Sequence, residues 1–190
     1  MLLRHASEAP LARQLRAATL TLGAAFSFMS GLYFRGKLSY ATAFGCHDTA
    51  PGEATLIITP TRGLQPPDLP VTAELLQEFA SVDISVDNPR YRAALDRDVA
   101  DLSERLPVDT RVILLGSIAT GKYVDVLSPR LGARLHYPFS FVGRGDMSRG
   151  ALLLRSVSAG VELEYAAIEA GARARGARPP KLPKTSKSEV

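Results

Sequence analysis

A lone cysteine, Cys46, means that the chain cannot close a disulfide on itself or build a zinc site from several thiolates. Histidine is almost as scarce. His5 and His136 have no companions at metal-ligand spacing, and His47 appears only in Cys46-His47-Asp48, whose neighbours in sequence rarely face each other as nucleophile and base. No resident metal is therefore expected. A long apolar run is also missing, because the longest uncharged stretch, the eighteen residues 17–34, is interrupted by Thr19, Thr21, Gly23, Ser27, Ser30 and Gly31. It reads as a buried core segment rather than an anchor or signal peptide, so a cytoplasmic protein without membrane contact is expected. No internal repeat is visible.

A broad basic face is lacking too. Of the formal charge of +4, the segment 171–190 holds Arg173, Arg175, Arg178, Lys181, Lys184 and Lys187 against only Glu189, so it carries +5 and the remainder about −1. The expected organisation is one domain over 1–170 and a basic, proline-containing tail over 171–190. The tail's Arg178-Pro179-Pro180-Lys181-Leu182-Pro183 matches a PxxP peptide, and a solvated tail explains it equally.

What the chain does contain is an alternation of apolar β-branched runs with helical patterns. Helical and strand spacing overlap between Leu11 and Met29, and we read a short helix from Pro10 followed by a buried strand over 18–22. A loop from Ser30 then enters a helix that buries Leu38, Ala41 and Phe44 and carries Arg35 and Lys37 near its start. Residues 54–59 read as a strand ending in a proline-rich loop, 60–70, which holds Arg62 and Asp68. Helices are expected from Thr72 and from Asn88-Pro89. Strands follow at 111–115 and 135–139, with a helix over 123–131 between them, a loop over 140–150, a helical piece at 151–157 and an edge strand at 161–165. This alternation predicts a three-layer α/β/α domain around a mostly parallel sheet of four to five strands.

The strongest chemical signal is Gly116-Ser117-Ile118-Ala119-Thr120-Gly121-Lys122, which spells G-x-x-x-x-G-K between a predicted strand and a predicted helix. Tyr123 stands where a P-loop needs Ser or Thr to hold Mg²⁺, and a phenol cannot replace that hydroxyl. The motif therefore reads as an anion-binding turn, as a plain βα turn with Lys122 in solvent, or as a degenerate P-loop, the one case in which Mg²⁺ would be needed. A second loop, Gly143-Arg144-Gly145-Asp146-Met147-Ser148-Arg149-Gly150, is dense in glycine and charge. If both loops follow parallel strands they share one carboxyl edge, where open α/β sheets bind ligands.

On this reading Gly116, Ser117, Gly121 and Lys122 cradle an anion, and Arg144, Ser148 and Arg149 clamp it. Arg35 and Arg62 approach from the other strands, and Asp68 or Asp146 supplies acid–base chemistry. An Arg–Asp ion pair that merely holds the second loop together accounts for the same residues.

Three stretches together, Leu32-Tyr33-Phe34 before the Arg35 helix, Leu56 to Asp68 with its Gly-Leu and Pro-Asp pairs, and Ile113-Leu114-Leu115-Gly116 with Lys122-Tyr123, resemble bacterial proteins of the YaaA-like and uracil-DNA-glycosylase-like α/β domains. The resemblance spans about 32–154 and implies handling of nucleobases, nucleotides or nucleic acid by an enzyme of N-glycosidic or related hydrolytic chemistry. The chain has no His-Pro-Ser type segment, and 138–145 matches the glycosylases' proline–phenylalanine–glycine loop only in part. The expected partner is an anionic small molecule, a nucleotide or a nucleic acid. A non-catalytic module that docks through its basic tail is the alternative.

Overall fold

The computed structural model describes residues 10–45, 54–168 and Pro180. The tail apart from Pro180, His5 and the Cys46-His47-Asp48 triplet lie outside the described residues. Among the described residues the chain forms six α-helices and five short strands.

Helix α1, Pro10–Arg16, opens on the proline that sequence suggested and buries Ala12 and Leu15. Ala18 then turns into positive φ, 53°, and the chain reaches Leu20. The expected strand over 18–22 is reduced to a single antiparallel bridge, Thr21 to Pro70, flanked by hydrogen bonds from Val71 N to Leu20 O and from Leu22 N to Leu69 O. Pro70 has no N–H to extend a ladder, and Thr21 instead caps the next helix by accepting from Ala24 N.

That helix, α2, Leu22–Phe44, is broken at Gly31, whose φ of 68° and ψ of −147° belong to no helix. Its first half packs with Leu20, Val71, Leu76 and Phe79 in one core; its second half brings Tyr40 against Phe141 and Leu153 in another. No helix among the described residues is long and apolar enough to cross a membrane.

Strands β1, Ile57–Ile58, and β2, Leu64–Gln65, form an antiparallel hairpin. Thr59 closes it, donating from its backbone N and its Oγ1 to Gly63 O and accepting from Arg62 N. Gly63, at φ 58°, makes the reversal. Helices α3, Ala73–Ala80, and α4, Pro89–Arg105, start where expected, capped by Thr72 and Asn88. Strand β3, Val112–Ile113, leads into α5, Gly121–Leu131; strand β4, Leu135–Pro138, leads through a short turn at Phe139–Phe141 into α6, Asp146–Ala159. Strand β5, Tyr165–Ala167, closes the order β3-β4-β5. The main core lies between α4, α5 and this sheet, with Tyr91, Leu95, Val124, Leu127 and Leu135 buried in it.

The expected parallel sheet of four to five strands is thus incorrect. There are two small sheets, of two and three strands, and only β3 with β4 runs parallel. The physical reason is local. The Thr59–Gly63 turn reverses the chain at once where a crossover was expected, and β5 returns antiparallel to β4. The edge strand expected at 161–165 begins only at Tyr165, and the helical piece expected at 151–157 starts earlier, at Asp146, shortening the second loop.

Candidate functional site

Because β3 and β4 are parallel, the two loops that follow them, into α5 and into α6, leave from the same edge of the sheet. The second half of α2 passes beside that edge and crosses α6 at glycines: a Cβ on Gly36 would stand 2.8 Å from Gly150 O, and one on Gly150 would stand 2.9 Å from Tyr33 Cα. This close approach fixes where the α2 side chains reach. Tyr33 donates to Leu115 O at 2.9 Å, tying α2 to the end of β3. The Lys37 ammonium lies 4.6 Å from the Tyr33 ring centre and 5.2 Å from that of Phe34.

From α5, Lys122 folds over the Tyr123 ring with its Nζ 5.0 Å from the centre. Tyr123 also leans on Gly116, where a Cβ would be 3.0 Å from the ring. From α6, buried Arg149 donates twice to Phe141 O, at 3.3 and 3.2 Å, and stands 3.7 Å from the Asp146 carboxylate.

The electrostatics join these pieces. Burial pushes the Lys37 ammonium below its ordinary range, with the Asp146 carboxylate opposing and the Lys122 charge reinforcing that fall. Burial likewise pushes the Tyr33 phenol up to about 12 against the pull of the Arg149 guanidinium. The ion pairs among the described residues include neither Lys37 nor Lys122. Exposed Asp146 bears on Lys37 more strongly than Lys122 does, and burial more strongly than either. Lys37, Gly116 and Tyr123 are among the residues that line a cavity of about 560 Å³ beside α2.

The residues singled out from sequence divide into three sets. Asp146 and Arg149 pair with each other, Gly116 and Lys122 both meet the Tyr123 ring, and Tyr33 feels the charges of Arg149 and Asp146. Ser117 and Gly121 belong to the same loop, where Ser117 accepts from Thr120 Oγ1 at 3.5 Å and the Asp125 carboxylate occupies the space a Cβ on Gly121 would take. Arg144 and Ser148 lie beside the cluster, with Arg144 donating to Ser140 O at 3.0 Å, to Ser148 Oγ at 3.3 Å and to Pro180 O at 3.4 Å. The third set lies elsewhere. Arg62 forks onto Glu78 of α3 at 3.3 and 2.8 Å, and Asp68 is exposed in the loop whose carbonyls, Pro67 O and Leu69 O, receive the first N–H groups of α2. Arg35 is exposed on α2, two positions from the lysine that reaches the cluster.

Tyr33 and Tyr123 are site residues that sequence reasoning did not select, and Lys37 was noted without being chosen over Arg35. The signal was available in helical phase: Tyr33, Gly36, Lys37 and Tyr40 recur at the i, i+3, i+4, i+7 spacing of one helix face. No group of three or more His, Cys, Asp or Glu among the described residues is arranged to hold a metal ion. Compared with protein-family models, curated proteins and solved structures, the chain matches none of them.

Proposed function

We propose that the protein binds the phosphate of a nucleotide or nucleic acid at the carboxyl end of β3, and acts on it as an enzyme of nucleotide or nucleic-acid modification. One observation carries the reading: Lys37 lines the cavity beside Leu115 and Gly116 with its ammonium depressed chiefly by burial, and the ion pairs among the described residues include neither it nor Lys122 on the following turn. A half-buried ammonium without an ion pair is stabilised by an anion, and phosphate oxygens can accept from Lys37 and from Lys122 at the start of α5. Arg149 serves as a buried brace, holding the turn before α6 through Phe141 O. Asp146, at the first position of α6, is the carboxylate placed for proton transfer. The resemblance to nucleobase-handling α/β domains supports a nucleotide over other phosphate esters.

Calorimetric titration with nucleoside monophosphates and short oligonucleotides tests the reading. Lys37→Gln and Lys122→Gln should each weaken binding by about tenfold or more, the loss of one charge-assisted hydrogen bond. Affinity should fall as pH rises through the depressed Lys37 pKa, because only the protonated amine attracts the anion, and Lys37→Gln should flatten that dependence. Unaltered affinity in both variants would sink the proposal.

A further inference from the structure

We infer that the cavity along α2 receives the heterocyclic base of the nucleotide whose phosphate rests between Lys37 and Lys122; the inference builds on the phosphate reading above. The cavity, at about 560 Å³, lies within the range of small-molecule sites, roughly 300–1,000 Å³. Its walls are apolar: Phe34, Leu38 and Ala41 come from α2, Leu56 and Ile58 from β1 and the residue before it, and Leu127 from α5. Polar groups line it too, among them Lys37 and Tyr40 of α2, Asp109 and Arg111 before β3, and Glu162 with Tyr165. Lys37, Tyr40 and Phe44 lie along one side of α2, so the cavity extends about 10 Å from the ammonium at the helical rise per residue.

The hydrogen bonds beyond Lys37 have a fixed direction. Leu163 N donates to the Tyr40 hydroxyl at 2.8 Å, the two tyrosine hydroxyls are 2.7 Å apart, and Tyr165 donates to Glu162 Oε1 at 2.7 Å. With Glu162 ionised, Tyr165 spends its only proton on the carboxylate, so Tyr40 must donate to Tyr165. Every proton in the chain is committed, and the chain ends in a carboxylate with acceptor capacity left over. Such an end accepts from N–H groups. A planar heterocycle with apolar faces and a ring or amino N–H at its edge matches both the walls and this end, whereas an acyl chain would make no use of the acceptor capacity left on Glu162.

The deciding experiment compares guanosine, adenosine, cytidine and uridine monophosphates with ribose 5-phosphate and with the free nucleosides, by calorimetry on the full chain. At least one nucleotide should bind tenfold or more tightly than ribose 5-phosphate. Ala41→Leu, which fills the cavity, should bring that nucleotide down to the level of ribose 5-phosphate. Glu162→Gln, at an exposed position that tolerates the change, should reduce the preference about tenfold, and keeps the test intact should Ala41→Leu fail to fold.

Ribose 5-phosphate binding as tightly as every nucleotide would overturn the base site and leave the phosphate site standing. Free nucleosides binding in a manner blocked by Ala41→Leu, with no contribution from Lys37, would keep the cavity as a base site and overturn the phosphate reading. Absence of binding by all of these ligands would overturn both.

Discussion

The region around α3 and α4 and the region around α5 and α6 use the same residue types to opposite ends. In the first, Thr72 accepts from Leu75 N, Asn88 accepts from Arg90 N, Arg62 is taken up by Glu78, and Asp98 accepts from Leu64 N at 2.9 Å. Polar groups there satisfy one another. In the second, neither Thr120 nor Gly145 supplies a side-chain cap, and the ion pairs among the described residues include neither Lys37 nor Lys122. Arg149 pairs with Asp146 in the second region, yet its helix starts and its two lysines go without such partners among the described residues, which marks it as the place where a partner completes the structure.

The strongest way to break this comparison is to disturb the glycine crossing that assembles the second region. Gly150→Ala forces a methyl group to 2.9 Å from Tyr33 Cα, so α2 and α6 must separate. We expect a loss of about 1–3 kcal/mol in chemical denaturation. Nucleotide affinity should fall as well, because Tyr33 and Lys37 ride on the displaced helix; a variant as stable as the parent would show that the contact is loose.

The contrast in caps gives a smaller effect. Asn88→Ala and Thr72→Ala should each cost about 1 kcal/mol, whereas Thr120→Ala, whose hydroxyl caps nothing, should lie within about 0.5 kcal/mol of the parent. An equal cost at Thr120 in a urea titration would erase the distinction between the regions.

The least effect belongs to Arg62 and Glu78. Hydrogen bonds from Arg62 and Thr61 hold the Glu78 carboxyl down at about 2. A depressed carboxyl contributes stability above its unfolded pKa and loses it as pH falls from about 4.5 toward 2, so Glu78→Gln should flatten the acid limb of the stability curve across that window. The pair is exposed, and its contribution should stay below about 1 kcal/mol. Arg62→Ala should leave nucleotide affinity at the parent value, which separates this arginine from the cations of the site.

The sequence was readable where local chemistry decides. Thr72 and Asn88-Pro89 start helices through side-chain caps and a preset φ, and 135–138 forms a strand through its own pattern. Sheet order was not readable, because it depends on whether the chain after β1 crosses over or reverses, and a single left-handed residue, Gly63, selects reversal. In the site, the two glycine loops were legible from their composition and share an edge through the one parallel pair. Which cation of α2 joins them was not, since Arg35 and Lys37 differ by half a turn and only the packing of Gly36 on Gly150 chooses between them.

Gly31 extends that point. Its φ of 68° interrupts α2, so the piece packed with Phe79 and the piece carrying Lys37 keep separate rotational settings. An unbroken helix would lock the two settings together at about 100° per residue. The break acts as a joint whose angle is written into the backbone, and Phe34 just beyond it packs edge-on against Phe26 just before it, 5.5 Å between ring centres. Where the site points is thus governed by a residue that has no side chain.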